Sequence, residues 1–321
     1  MTRSAECAAL PPVAGYLESN GPTSTVVYSL TDEVADPIEW LVQHRVSVRA
    51  TVARHGAVLF RNLPTGLESF QDIVATLGGD PLAYHERSTP RTEVGGNIYT
   101  STEYPPDQRI PMHNENSYAD SWPTHLYFLC VTRAEEGGET PIADSRSVFD
   151  RIAPEIRSRF SDGVVYTRTF REGLGLSWQE TFQTTSRAEV ERFCRTHGHH
   201  FEWDGAVLRT KTHRPAWRDD PHSGRSVWFN QAHLFHVSAL EPDVRDALLL
   251  AFDERDLPRN AYYADGSPLR PDDLAAIEQA YRDCALTLHW APGDLLMVDN
   301  MQMAHSRSPY RGQRRILVAM T

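Results

Sequence analysis

Asp299-Asn300-Met301-Gln302-Met303-Ala304-His305-Ser306-Arg307-Ser308-Pro309-Tyr310-Arg311-Gly312-Gln313-Arg314-Arg315-Ile316 is the stretch whose reading decides the fold. His305 sits ahead of Pro309 and Gly312, which mark a chain reversal, and the apolar run Ile316 to Met320 follows. The spacing predicts a strand carrying His305, a turn, and a returning strand that brings a guanidinium back beside it. Side chains alternate along a strand, so Arg314 and Arg315 point to opposite faces and at least one of them is a solvated edge. An arginine fork is suited to a carboxylate at the far end of a dicarboxylate.

A histidine before such a turn needs partners to do chemistry. His113-Asn114-Glu115 supplies two ligand-type side chains two residues apart. If Met112 to Asn116 is extended, His113 and Glu115 project to the same side. With His305 they make two imidazoles and one carboxylate, a set that leaves three metal positions open and defines the facial triad of non-haem Fe(II) oxygenases. The triplet alone is weak, since a surface His–Glu pair satisfies the same pattern. The arginine turn downstream gives it weight.

The rest of the chain sets bounds. It has 321 residues and a formal net charge of −11. Such an acidic balance argues against a nucleic-acid partner, which would require a basic face. No apolar run approaches the ~18 residues of a membrane span. Residues 1–19 lack the basic start and apolar run of a secretory signal. Cys7, Cys130, Cys194 and Cys284 are widely spaced and without a Cys-x-x-Cys, which fits reduced thiols and a cytoplasmic location. Only one of the 32 basic residues is lysine, Lys211, so any carboxylate clamp must be arginine.

Periodicity predicts helices over 37–54, 70–77, 187–197 and from Pro271, and a single helix starting near Asp144 with Val148, Phe149, Ile152, Ile156 and Phe160 on one stripe. It predicts strands at 56–60, 125–131, 163–170, 286–289, 295–298 and 316–320, and several short ones between 198 and 230. The first 25 residues are expected to be loosely held. Helices and strands do not alternate, which excludes a doubly wound parallel sheet, and no Gly-rich nucleotide motif occurs. The reading is one α+β domain over 1–321 with a mainly β core.

Taken in order, His113-x-Glu115, Gly137-Gly138-Glu139-Thr140 and the 299–316 pattern resemble the taurine dioxygenase-like family of Fe(II)/2-oxoglutarate oxygenases. The resemblance runs from Gly56-Ala57-Val58-Leu59-Phe60-Arg61-Asn62 to Met320. Its nearest branch is associated with nonribosomal peptide and other natural-product pathways, through Ile98-Tyr99-Thr100-Ser101-Thr102-Glu103-Tyr104, Val227-Trp228-Phe229-Asn230-Gln231 and Val318-Ala319-Met320. It implies a double-stranded β-helix (jelly roll) with surrounding helices. It implies His113, Glu115 and His305 as iron ligands. Thr140 and Arg314, with Arg315 ranked second, would hold 2-oxoglutarate, and O2 would be the other cosubstrate. Halogenating relatives lack the carboxylate, so Glu115 favours hydroxylation.

The expected substrate is a small amino acid or amino-acid-derived molecule, free or tethered to a carrier protein. Desaturation, cyclisation or bond cleavage are open outcomes of the same chemistry. A zinc hydrolase using the same three ligands is the alternative from another class, and the arginine turn speaks against it. Asn114, Asn230 and Gln231 are candidate substrate residues, with Arg87, Arg91, Tyr99, Ser101 and Tyr118 as weaker ones. His197, His199 and His200 are a rival metal cluster better read as structural or surface groups, and His233 and His236 are expected to pack or bond locally.

Overall fold

The structure is a computed structural model, and it describes residues 2–83, 86, 88–89, 91–101 and 104–321, with side chains from residue 10 onward. Arg87, Thr102 and Glu103 of the motifs above lie outside the described residues.

The sequence alternation builds a layered body. A nine-stranded sheet runs, in spatial order, Thr2–Leu10, Val13–Asn20, Thr23–Ser29, Ala57–Arg61, Leu295–Asp299, His125–Thr132, Arg315–Met320, Ile98–Thr100 and Glu93–Gly95. Its one parallel pair joins Thr23–Ser29 to Ala57–Arg61, and helix Pro37–His55 makes the crossover. Val58, Phe60, Met297 and Leu317 face one way, onto that helix and Leu67–Leu77. Ala57, Leu59, Val298 and Val318 face the other way, onto Ile142, Leu286 and Met303 of a four-stranded sheet. That sheet is ordered Ala285–Leu286, Ile142–Asp144, Met303–Arg307, Ile110–His113. Its outer side packs on helix Pro271–Cys284 and on a further sheet, His200–Asp204, Val207–Arg214, Val164–Phe170, Arg259–Tyr263. Strands buried on both faces read as continuous apolar runs, which is why 57–60 and 295–298 are legible.

The structure departs from expectation in three places. The α+β class holds, but the double-stranded β-helix does not. The sheets are open: the nine-stranded one ends at Thr2–Leu10 and Glu93–Gly95, the four-stranded one at Ala285–Leu286 and Ile110–His113, and no ladder among the described residues closes either. Motif order carries chain topology, whereas closure depends on strand curvature and edge pairing that no motif encodes. Second, the predicted helix after Asp144 is two pieces, Ser145–Arg151 and Pro154–Arg159. Pro154 disfavours helical backbone at Ala153 and forces the break, and Asp144 caps the first piece by accepting from the backbone N–H of Arg146 and Ser147. Third, the first 25 residues, expected to be loose, form a hairpin of Thr2–Leu10 with Val13–Asn20 and then Thr23–Ser29. The three cysteines whose side chains are described, Cys130, Cys194 and Cys284, are buried and unpaired, and no helix among the described residues is long and apolar enough to cross a membrane.

The Gly137-Gly138 pair fixes the turn that faces the candidate site. Both have left-handed backbone, φ 68° and 74°. A Cβ on Gly137 would strike the carbonyl oxygen of Pro309, and one on Gly138 would press on Arg314 Cδ at 3.0 Å. Gly137→Ala is therefore expected to lower stability by at least about 2 kcal/mol, from left-handed strain and the backbone clash together. Thermal unfolding checks this; a Tm within a degree of the parent would show that the loop relaxes freely.

Candidate functional site

Register builds the site. Ile110–His113 is the edge strand of the four-stranded sheet, and it pairs antiparallel with Met303–Arg307 so that His113 stands directly opposite His305. Directly paired residues share a face, and the two imidazole centroids lie 4.4 Å apart. His305 also leans on Phe128 of the neighbouring sheet, at 5.1 Å.

Glu115 reaches the same point by a different route from the one expected. The strand stops at His113 and Glu115 lies in a turn. Asn300 clamps that turn: its Oδ1 accepts from the Glu115 N–H at 2.7 Å and its Nδ2 donates to the Glu115 carbonyl at 2.9 Å. The Glu115 carboxylate Oε2 then sits 3.9 Å from His305 Nε2. Ligand atoms of His113, Glu115 and His305 all fall within 4.8 Å of one another, the only such His/Cys/Asp/Glu group among the described residues.

The electrostatics suit ligation. Burial lowers the His113 pKa, against the opposing pull of Glu115. Burial, the His113 ring and the Arg91 charge hold His305 well below the ordinary histidine value. Both rings are thus neutral at neutral pH. His113 Nδ1 donates to the Pro111 carbonyl at 2.8 Å, which places its proton there and presents Nε2 as a bare acceptor. Arg91 Nη2 donates to Glu115 Oε2 at 2.8 Å in a buried ion pair.

Two cavities meet at this cluster. One is lined by His113, His305, Thr140, Ser101 and Arg314. Arg314 is partly buried, donating Nε to the Gly138 carbonyl at 2.8 Å and Nη1 to Ser101 Oγ at 3.0 Å. Burial, then Arg307, brings its pKa down to about 10, so it stays a cation at neutral pH. Arg315 begins the next strand and is exposed. The other cavity is lined by His113, Glu115, Gln231, Arg91, Tyr104 and Arg259.

The remaining candidates sort by their bonds. Asn114 Nδ2 donates to the Asn300 carbonyl at 2.7 Å and to Ser145 Oγ at 3.1 Å, and Asn230 Nδ2 to the Ala216 carbonyl at 2.7 Å; neither lines the two cavities. Gln231 lines the second cavity while its Nε2 donates to the Asn114 carbonyl at 2.8 Å. Tyr99 is buried, and the Tyr118 hydroxyl donates to the Glu86 carbonyl at 2.8 Å. His197 pairs with Asp120 at 2.8 Å, buried His199 faces Glu86 at 3.5 Å, and His200 is exposed. His233 donates Nε2 to the Met112 carbonyl at 2.8 Å, and His236 bonds Ser238 Oγ at 2.7 Å.

Sequence reasoning missed Asn300 as a clamp, although Asp299-Asn300 was in the quoted motif. It also missed Arg307, which donates to the carbonyls of Tyr104, Pro105 and Gln108 at 2.9, 2.6 and 2.7 Å and ties that loop over the site. Arg259 had no local signal at all.

Comparison with known proteins agrees with this geometry. Residues 22–321 match the family model "Taurine catabolism dioxygenase TauD, TfdA family". A dapdiamide synthesis protein, DdaC, of Enterobacter agglomerans is 37% identical over 300 residues, covering 92% of this chain and 90% of the relative. A clavaminate synthase-like protein of Arabidopsis thaliana is 32% identical over 283 residues, covering 83% and 81%. Among solved structures, the PvcB protein from Pseudomonas aeruginosa aligns over 99% of this chain and 94% of its own, with a TM-score of 0.58 at 12% identity, a likeness of fold alone. The chain belongs to the TauD, TfdA family and is an Fe(II)/2-oxoglutarate-dependent dioxygenase.

Proposed function

We propose that His113, Glu115 and His305 hold Fe(II), that Thr140 and Arg314 hold 2-oxoglutarate, and that the 321 residues act as one domain hydroxylating a small amino-acid-derived substrate. The observation that carries the reading is a shared wall: the cavity containing Thr140 and Arg314 is bounded by both imidazoles of the cluster.

The donor set fits a hard-to-borderline divalent ion: two imidazole nitrogens, one carboxylate, no thiolate. Ligand atoms held cis to one another at about 2.1 Å from one ion stand about 3 Å apart, so the three donor atoms, within 4.8 Å of one another and 3.9 Å apart for Glu115 Oε2 and His305 Nε2, reach an ion by small side-chain shifts. When bound, iron with 2-oxoglutarate and O2 supplies the oxidising power to functionalise an unactivated C–H bond, with succinate and CO2 as by-products.

The protein's part is placement. His113 keeps its proton on Nδ1 against Pro111 and offers Nε2. Arg314 has two donors committed to Gly138 and Ser101, which locks the fork so that its other N–H groups meet a carboxylate without further ordering. Thr140, buried beside it, adds a hydroxyl to the same wall. Phe128 against His305 excludes water from that side. Glu115 fills the position that halogenating relatives leave open, which supports hydroxylation. The relative named for dapdiamide synthesis supports a place in natural-product biosynthesis.

Anaerobic protein given Fe(II) and 2-oxoglutarate is expected to develop a weak visible charge-transfer band, and His305→Ala and Glu115→Ala to lose both that band and succinate formation. An unchanged band in His305→Ala would refute the metal assignment. Arg314→Glu is expected to weaken 2-oxoglutarate binding on the order of 100-fold or more, the loss of a charge-assisted pair, while Mn(II) binding survives. Arg315→Glu should bind it normally, and the reverse pattern, read by calorimetry, transfers the role.

Arg91 generates a further expectation. It donates to the same Glu115 Oε2 that faces His305, so Arg91 and an ion share one oxygen. Arg91→Met leaves a buried carboxylate uncompensated, a cost of about 3–5 kcal/mol. The metal-free variant should melt earlier than the parent, and Mn(II) should raise its Tm by more than it raises the parent's. Equal Mn(II)-induced shifts would show that the two cations do not share Oε2.

A further inference from the structure

We propose that Arg259 anchors a free carboxylate on the substrate, so that the enzyme acts on a free acid and not on an acyl group held as a carrier thioester; this rests on the reading of His113, Glu115 and His305 as the reaction centre. Arg259 opens the strand Arg259–Tyr263 and stands directly opposite Arg168 on Val164–Phe170. Like charges in direct cross-strand register destabilise a sheet. Arg168 has its own compensation, donating to Thr181 Oγ1 at 3.3 Å and lying over the Phe170 ring at 4.7 Å. Arg259 has only the Phe235 ring, at 5.6 Å. Among the described residues no carboxylate is paired with it, and the ionisable groups it senses are Tyr104, Arg168 and Tyr118.

A partly buried guanidinium without an anion is costly to keep, and its place explains what it is kept for. Arg259 lines the cavity that contains His113, Glu115 and Gln231. Its charge is felt at His113 but is absent from the influences on His305. Arg314 lies in the cavity bounded by His305. Of the other arginines on these walls, Arg91 is paired with Glu115, Arg307 is committed to backbone carbonyls and Arg109 is exposed, which leaves Arg314 beside Thr140 for the cosubstrate and Arg259 in the other cavity for a second anion. The acids on the Arg259 side are otherwise engaged: Glu115 is held by Arg91, and Glu241 is exposed at the rim.

The neighbouring cavity sets the rest of the ligand. It shares Ser88, Thr89, Tyr104 and Arg259 with the first and is otherwise largely apolar, with Leu174, Leu176, Phe235, Leu240 and Leu248 on its walls. Arg259 sits at the junction. A molecule that fits both presents a carboxylate to Arg259, an apolar side group to the leucines and its remaining chain to the triad. This is the chemistry of an N-acylated amino acid or short peptide with an aliphatic side chain. An acyl thioester has no carboxylate at that carbon to give.

The test uses the full chain with Mn(II) and saturating 2-oxoglutarate, so that Arg314 is occupied. The probes are N-acetyl-L-leucine, its C-terminal amide and its pantetheine thioester, with Kd read by ligand-observed NMR. The parent is expected to prefer the acid over the amide and the thioester by about tenfold or more, the value of one charge-assisted contact. Arg259→Met should abolish that preference, Arg259→Lys should restore part of it, and 2-oxoglutarate affinity should be unchanged in both. Equal binding of acid and amide by the parent, no binding of the acid at millimolar concentration, or a preference that survives Arg259→Met overturns the proposal. Failure of the parent to bind Mn(II) or 2-oxoglutarate refutes instead the functional reading beneath it.

Discussion

The pairing of His113 with His305 is the constraint on which the site depends. Ile110–His113 is an edge strand with one neighbour, so its register rests on a short ladder to Met303–Arg307, interrupted by a bulge between His305 and Arg307. A slip of one residue would turn one imidazole to the opposite face. Two reinforcements oppose it. Asn300, at the end of the preceding strand, is buried and bonds both backbone groups of Glu115 as well as the Pro123 carbonyl. Arg307, two residues beyond His305, gathers three carbonyls from the loop leading into Ile110–His113. Each side of the ladder is thus pinned by a side chain from the segment that carries His305, and the 299–316 stretch acts as one structural unit.

Arginine chemistry organises the surroundings. In a chain with a single lysine, five guanidiniums line the two cavities at the cluster; Arg109 is exposed to solvent, and the other four each meet a different environment. Arg307 faces backbone carbonyls, Arg91 a carboxylate, Arg314 one carbonyl and one hydroxyl, and Arg259 an aromatic face. The guanidinium remains charged even where burial lowers its pKa, as at Arg314 and Arg259. The differences in satisfaction therefore rank the four by how much each gains from an arriving anion: least for Arg307, most for Arg259. That gradient separates residues that shape the site from residues that address a ligand.

Much of this was legible because it is local. The run Ala57–Phe60, the helix from Pro271 and the reversal between Pro309 and Gly312 each carry their own signal in apolar period or turn chemistry. The split between a partly buried Arg314 and an exposed Arg315 was expected from strand alternation, but Arg314 lies ahead of the strand Arg315–Met320 and is turned inward by its bonds to Gly138 and Ser101. What escaped was set by distant contact. Nothing near Arg259 marks it, and Arg91, named only as a weaker substrate candidate, is found paired with Glu115; both roles come from which residues the fold brings opposite, Arg168 for one and Glu115 for the other. The expected jelly-roll closure failed for the related reason that edges are decided by pairing. Glu115 reaches the two imidazoles by a route other than the one expected: the predicted extended backbone is a turn, and Asn300 does what strand alternation was expected to do.

The Arg91–Glu115 pair bears on how such a centre folds. A buried ion pair adds little stability compared with apolar packing, so stability alone does not account for it. A lone buried carboxylate beside two neutral imidazoles would be costly in the metal-free chain. Arg91 neutralises it, with both residues below a tenth exposed. On the proposed reading, loading an ion then exchanges one cation for a shared one at Oε2, and the imidazoles, already neutral, need release no proton. The site is arranged so that the carboxylate of the cluster is compensated in the metal-free chain and the incoming ion meets no protonated imidazole.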